Sequence, residues 1–356
     1  MSWVDLAPWP VQPMPWCGLI GASSERNVFH EPEFLTQAVP FLAPDARLLV
    51  GVTASGDWAG ALPLRAGRAG FVVPAICSFS HQYGPLGTPH MAGDVAEAWR
   101  RVLDRLQAEG ASVLMLPHMR AEGAVFEGLM AATAASGRPV DVLTAWRRPV
   151  LLAGGAVPVC KVSMKRWRRL NREHDVRHEV IVDPALLMVA LEQFLALELA
   201  GWKGRAGTAL ACHADSLAFV RGVVGLYGAR GGIFIDRLSV DGRAVAMHIG
   251  LASGGEASMW KIAYDEALAA FSVGRQLLWL ISRRLHGAGQ YSRVDSLAME
   301  EGGALADMWP DRLAMADLLV GCRPGGGVGF RLAGLDARLY RGARALAKRV
   351  RDRIKG

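Results

Sequence analysis

Short runs rich in apolar residues, set between turn signals, mark residues 232–264 as a three-strand meander. The runs GGIFIDRLSVDG, RAVAMHIGLAS and EASMWKIAYDE are separated by Asp241-Gly242 and Gly254-Gly255, pairs that close hairpins. A helical period follows. Leu277, Leu278, Ile281 and Leu285 recur at steps of three and four, predicting a helix that opens near Ser272 and breaks at Gly287, with a strand over residues 291–295 behind it. Three antiparallel strands, a helix and a strand are therefore expected in that order.

The first half repeats the pattern in worn form. RLLVGVTAS turns through Gly56-Asp57 into WAGALPLRAG, FVVPAICSF leads to a loop over residues 81–89, and a helix is predicted from about Asp94 to Gln107 before the strand SVLMLPHM. The second half opens on KVSMKRWRRLNREHDV, with Met164, Trp167 and Leu170 on one helical face and Lys161, Lys165, Arg168 and Arg172 on another. That basic face is either solvated or placed to meet a phosphate-bearing ligand. Asp183 and Pro184 read as the cap and first turn of a helix with the stripe Leu187, Leu191, Phe194 and Leu195, ending at Gly201. From Leu332 to Ile354 apolar residues again recur at helical steps, predicting one long amphipathic helix.

At 356 residues the chain can build two cores, and 51% hydrophobic against 21% charged residues excludes disorder. The net charge of +7 resides in residues 331–356, where nine Lys or Arg face two Asp, so the body is neutral. A basic tail on a neutral body argues for a local docking function or for none, and against a nucleic-acid-binding enzyme: the helix is expected to pack on the body, with contact to an anionic membrane surface or a synthase partner as the alternatives. With no run of about 18 uncharged apolar residues, a cytoplasmic protein, at most membrane-peripheral, is expected. Cys17, Cys77, Cys160, Cys212 and Cys322 are scattered and odd in number, which reads as reduced core thiols without a metal site.

The junction WKIAYDEALAAFSVGRQL carries the most chemistry, because a strand runs through a turn into a helix with Gly274 at its head. Free amides at a helix start, aided by Arg275, suit a pyrophosphate; the alternative is Ser272 as an ordinary N-cap with Gly274 relieving crowding. The element order with this junction resembles the GNAT acyltransferase core. The phrases GWKGRAG, WKIAYDE, FSVGRQLL and VDSLA, with Trp309 and Arg312 beyond and NVFHEPEFL and FSHQYGPLGTP before, resemble the CelD/BcsL family of GNAT-like proteins linked to cellulose biosynthesis. Val273 departs from that family, which usually has Pro there, and the fuller GNAT phosphate signature of two spaced glycines is absent.

The resemblance implies an α/β (α+β) fold of two tandem GNAT-like domains, with mixed, mainly antiparallel sheets flanked by helices, duplicated as in Fem-type aminoacyltransferases. The expected domains are 1–155, a degenerate copy; 156–322, the acyltransferase; and 323–356, the basic helix. It implies an N- or O-acyltransferase with acetyl-CoA as donor, no metal, and a saccharide or envelope-related acceptor. A Fem-like aminoacyltransferase and a non-catalytic synthase partner are the alternatives. Lys261, Ile262 and Ala263 would hold the donor by backbone, and Ser272, Val273, Gly274, Arg275 and Gln276 its phosphates. Asp295 is the first choice of general base, with Tyr264 and Asp265 as acid and orienting group, Asp265 being equally suited to cap the next turn. Trp202 and Lys203 on the GWKG loop, with His81, Tyr83 and His248, are candidate acceptor-binding residues, although His248 inside its strand also reads as a core histidine.

Overall fold

The computed structural model describes residues 2–6, 14–156, 161–299 and 303–355. The chain forms two compact units: residues 1–32, 43–146 and 314–356 make the first, and 33–42 with 147–313 the second.

In the first unit β1 (Ser2–Leu6), β2 (Arg47–Val52), β3 (Trp58–Arg68) and β4 (Pro74–Ser78) pair antiparallel in that order, with the short β5 (His90–Met91) also on β3. Beside β4 runs β6 (Val113–Arg120), parallel to it at Ile76↔Leu114 and Cys77↔Met115. The unit's helices are α1 (Met14–Ala22), α3 (Val95–Ala108) and α4 (Ala124–Ala135), with α10 (Gly327–Lys355) at the chain's end. Ala98, Trp99, Val102, Leu103 and Leu106 of α3, an apolar stripe at helical spacing in the helix expected from about Asp94 to Gln107, are all buried against Leu62, Leu64, Leu114 and Leu116.

The second unit repeats this order. β8 (Val176–Ile181), β9 (Ile233–Val240), β10 (Arg243–Ser253) and β11 (Glu256–Tyr264) form an antiparallel meander. β12 (Arg293–Asp295) then pairs parallel to β11 at residues 256–258 alone. Its helices are α2 (Pro32–Leu42), α5 (Lys161–Glu173), α6 (Pro184–Ala200), α7 (Trp202–Arg205), α8 (Ala214–Ala229) and α9 (Val273–Ala288). Leu277, Ile281 and Leu285 of α9 bury against Phe234, Leu238, Ala257 and Met259. Asp183 caps α6 by accepting the Ala185 amide, as its Asp-Pro start predicts.

Linear domain borders at 155 and 322 differ from this division because segments far apart in sequence complete each unit. β13 (Asp311–Gly321) lies beside β6, with Met315 opposite Arg120, while residues 150–152 of β7 (Val140–Leu152) pair with β12. Phe34 and Phe41 of α2 pack on Phe219, and Phe34 also meets Trp260, which ties residues 33–42 to the second unit. The basic helix is part of the first unit: Ala333 and Ala337 are buried in it. The cysteines divide likewise: Cys77 and Cys322 are core thiols, whereas Cys17 is exposed and Cys212 half-buried, because α1 presents Cys17 on its outer face. Cys160 lies outside the described residues.

Candidate active site

A bulge in β11 sets up the site. Ile249 stands opposite Lys261 and Gly250 opposite Met259, which leaves Trp260 as the extra residue. Beyond it His248 faces Ile262 and Ala246 faces Tyr264, while the Asp265 amide donates to the Val245 carbonyl at 2.8 Å. That phase turns the amides and carbonyls of Ile262 and Tyr264 away from β10. On their side β12 has already ended its pairing at Ser258, so the strand presents backbone groups along an open edge.

The head of α9 lies next to that edge. Its first internal bond runs from the Gln276 amide to the Ser272 carbonyl, at 3.0 Å, leaving the amides of Val273, Gly274 and Arg275 ahead of the ladder. Ser272 adopts a left-handed conformation (φ 53°) and makes no side-chain cap, so the N-cap reading fails at its hydroxyl. Instead Arg166 of α5 donates to Ser272 Oγ. The first turn of α9 holds no acidic residue, and Arg275 pairs with Asp307 at 3.0 Å. A Cβ on Gly274 would come within 2.7 Å of the Tyr264 ring, so glycine there does relieve crowding: it seats Tyr264 against the helix head. Val273 and Gln276 are buried, the Gln276 amide group donating to the Phe271 carbonyl.

A pocket of about 220 Å³ opens beside these elements, lined by Leu197, Glu198, Gly201, Trp202, Lys203, Ile262, Ala263 and Tyr264. Lys203 Nζ donates to Glu198 Oε1 at 2.7 Å and to the Ile262 carbonyl at 3.0 Å; Glu198 Oε2 accepts the Leu210 amide at 2.8 Å. Gly204 makes this possible, because any side chain there would strike the Leu199 backbone as α7 folds back on α6. Trp202 stands at the mouth, 51% exposed. Lys261, packed over the Trp260 ring, has its pKa pulled down to about 7 by desolvation, reinforced by the charge of Lys203 and opposed by Glu198.

Of the residues expected from sequence, Trp202, Lys203, Ile262, Ala263 and Tyr264 line this pocket, and Gly274 lies against Tyr264. Others lie elsewhere. Asp295 is 2% exposed, ion-paired with the fully buried Arg148 at 3.2 Å, and accepts the Leu297 amide at 2.7 Å. Asp265 caps the turn after β11 through the Ala267 amide and pairs with Arg243 at 2.6 Å. His248 is buried without a hydrogen-bond partner among the described residues and is held neutral, its pKa lowered to about 4 chiefly by desolvation. His81 and Tyr83 belong to the first unit, with ring centroids 5.3 Å apart, on a loop fixed by Asn27 donating to the carbonyls of Leu86 and Thr88.

Sequence reading passed over Glu198 and Arg166. A carboxylate on the apolar stripe Leu191, Phe194 and Leu195, one turn on and five residues before a lysine, is the signal that marks Glu198. Arg166 sits between the two faces read from α5, and only the fold shows that it reaches Ser272.

Comparison with known proteins defines the class. Residues 161–304 match the acetyltransferase (GNAT) domain model, and the chain is a transferase carrying that domain. A conserved protein of unknown function from Bacteroides thetaiotaomicron shares the fold at a TM-score of 0.57 and 12% identity, over 89% of this chain and 100% of that one. L-PGS from Bacillus licheniformis gives 0.54 and 12%, over 92% and 97%; FemX gives 0.56 and 8%, over 90% and 97%. These neighbours share the fold over most of the chain. No curated protein sequence matches it.

Proposed function

We propose that the chain is an acyl-CoA-dependent N- or O-acyltransferase with acetyl-CoA as donor, its second unit binding the donor and activating the acceptor. The observation that carries this reading is the pairing of a strand edge that β12 leaves uncovered at Ile262 and Tyr264, where Lys203 already takes the Ile262 carbonyl, with an uncapped helix head attended by Arg166. An acyl-CoA needs both: backbone groups along its pantetheine arm, and amides with a cation at its pyrophosphate. An acceptor amine or hydroxyl would enter the pocket beside Trp202. Glu198 is better placed than Asp295 to take its proton, since Glu198 lines this pocket and Asp295 does not. The acceptor class remains the one implied by resemblance to the CelD/BcsL family, a saccharide or envelope-related molecule.

Aminoacyl transfer is the second reading, supported by the likeness to FemX and L-PGS. The neutral charge of the chain outside residues 331–356 argues against a large RNA donor. A non-catalytic role beside a polysaccharide synthase stands third. Thermal unfolding with acetyl-CoA separates them. At 100 times its dissociation constant the donor should stabilise the protein by about 2.7 kcal/mol. The shift should be reduced in Arg166→Ala. A folded wild type that shows no shift with acetyl-CoA would remove the first reading.

A further inference from the structure

The long helix α10 divides into a packed half and a projecting half. Ala333 and Ala337 bury it, and the Asp336 carboxylate accepts the amides of Phe71, Val72 and Val73 at 2.9, 3.1 and 2.9 Å. Beyond Arg341 every described residue from Gly342 to Val350 is exposed. Val328, Leu332, Leu335, Leu339, Leu346 and Val350 follow one another at steps of three, four and seven, which places them on a single line down the helix. They point to solvent: the four leucines are 52–63% exposed. Asp336 also pins the tip of the β3–β4 hairpin against the helix, where Phe71 and Val72 are 48% and 70% exposed and Phe71 meets Tyr340 edge-on. The result is an apolar stripe with an apolar loop tip fixed beside it, larger than scattered surface residues would give.

Charge selects the occupant. Arg331, Arg338 and Arg349 flank this line on one side, Arg338 pairing with Asp141, and through Val350 the helix's only carboxylate is Asp336, already bound to three backbone amides. A second copy of the chain would set these cations against their own kind. An anionic lipid surface meets both features at once, taking the apolar stripe between headgroups and the cations at the phosphates. We propose that α10 and the Phe71–Val72 tip form a docking face for membranes that contain anionic phospholipid.

Flotation of the full chain with vesicles tests this, using phosphatidylglycerol mixed with phosphatidylcholine against phosphatidylcholine alone. Wild type should float with the anionic vesicles only, and less so as salt rises. Replacing Arg331 and Arg349 by Gln should weaken binding by about 30-fold. The double variant L339E/L346E should abolish it while leaving the circular dichroism spectrum unchanged, since both leucines are exposed. Failure of wild type to float at low salt would overturn the proposal. So would undiminished binding of the leucine variant. A wild-type dimer in solution that the leucine variant converts to monomer would assign the stripe to a second copy instead.

Discussion

Two helices hold the same place in the two units and treat an incoming anion in opposite ways. α3 follows β4 as α9 follows β11, and each leads to a strand parallel to the one before it. At the head of α3 the Asp94 carboxylate accepts the Glu97 amide at 3.0 Å, and Glu97 adds a second negative charge in the first turn. The protein's own anion fills the position a phosphate would take. At the head of α9 there is no side-chain cap and no acid, and Arg166 stands at Ser272. The two units therefore share an element order, and one of them has the conditions for a phosphate ligand.

The largest effect expected is on acid stability, which both units share. His248, His30 and His90 are buried and held neutral by desolvation, with pKa values lowered to about 4, 4 and 3. Between an unfolded value near 6.5 and those values only the unfolded chain takes up the protons, so stability falls as pH drops through that window. Urea midpoints at pH 7 and pH 4.5 should show it; equal midpoints would contradict it. Next, Asp295→Ala removes the buried carboxylate that balances the charge of Arg148 and should cost about 3–5 kcal/mol by chemical denaturation. If Asp295 were instead the proton acceptor, the variant would keep its stability and lose turnover.

Smaller effects sharpen the contrast between the helix heads. Gly274→Ala drives a methyl into the Tyr264 ring and should cost about 1–3 kcal/mol, with weaker acetyl-CoA binding by calorimetry. Asp94→Ala should cost about 1 kcal/mol in the first unit. Ser272→Ala removes the bond from Arg166 but no cap bond and leaves the part-exposed guanidinium open to water, so it should change thermal stability within about 0.5 kcal/mol. Equal losses at Asp94 and Ser272 would erase the distinction.

Much of this fold was legible as pattern. Hairpins at Asp241-Gly242 and Gly254-Gly255, the α3 stripe and the Asp183-Pro184 start all follow from local rules, and local rules are what sequence displays. Strand exchange was hidden, because β13 and β7 pair with β6 and β12 through contacts that no local periodicity encodes. The site was half legible. GWKG and the WKIAYDE strand announce a pocket, yet whether a carboxylate lines it or pairs in the core depends on distant partners. Asp295 finds Arg148, 147 residues earlier, while Glu198 finds Lys203 five residues on. The bulge at Trp260 was equally silent, since it appears only when β11 is laid against β10.

Hydrogen–deuterium exchange with and without saturating acetyl-CoA tests the central claim most directly, because it reads backbone amides in both units at once. Protection should appear over residues 259–264 and 273–276 and leave residues 94–98 unchanged. Protection at the head of α3, or none at the head of α9 while the ligand is demonstrably bound, would contradict the assignment of the donor site to the second unit.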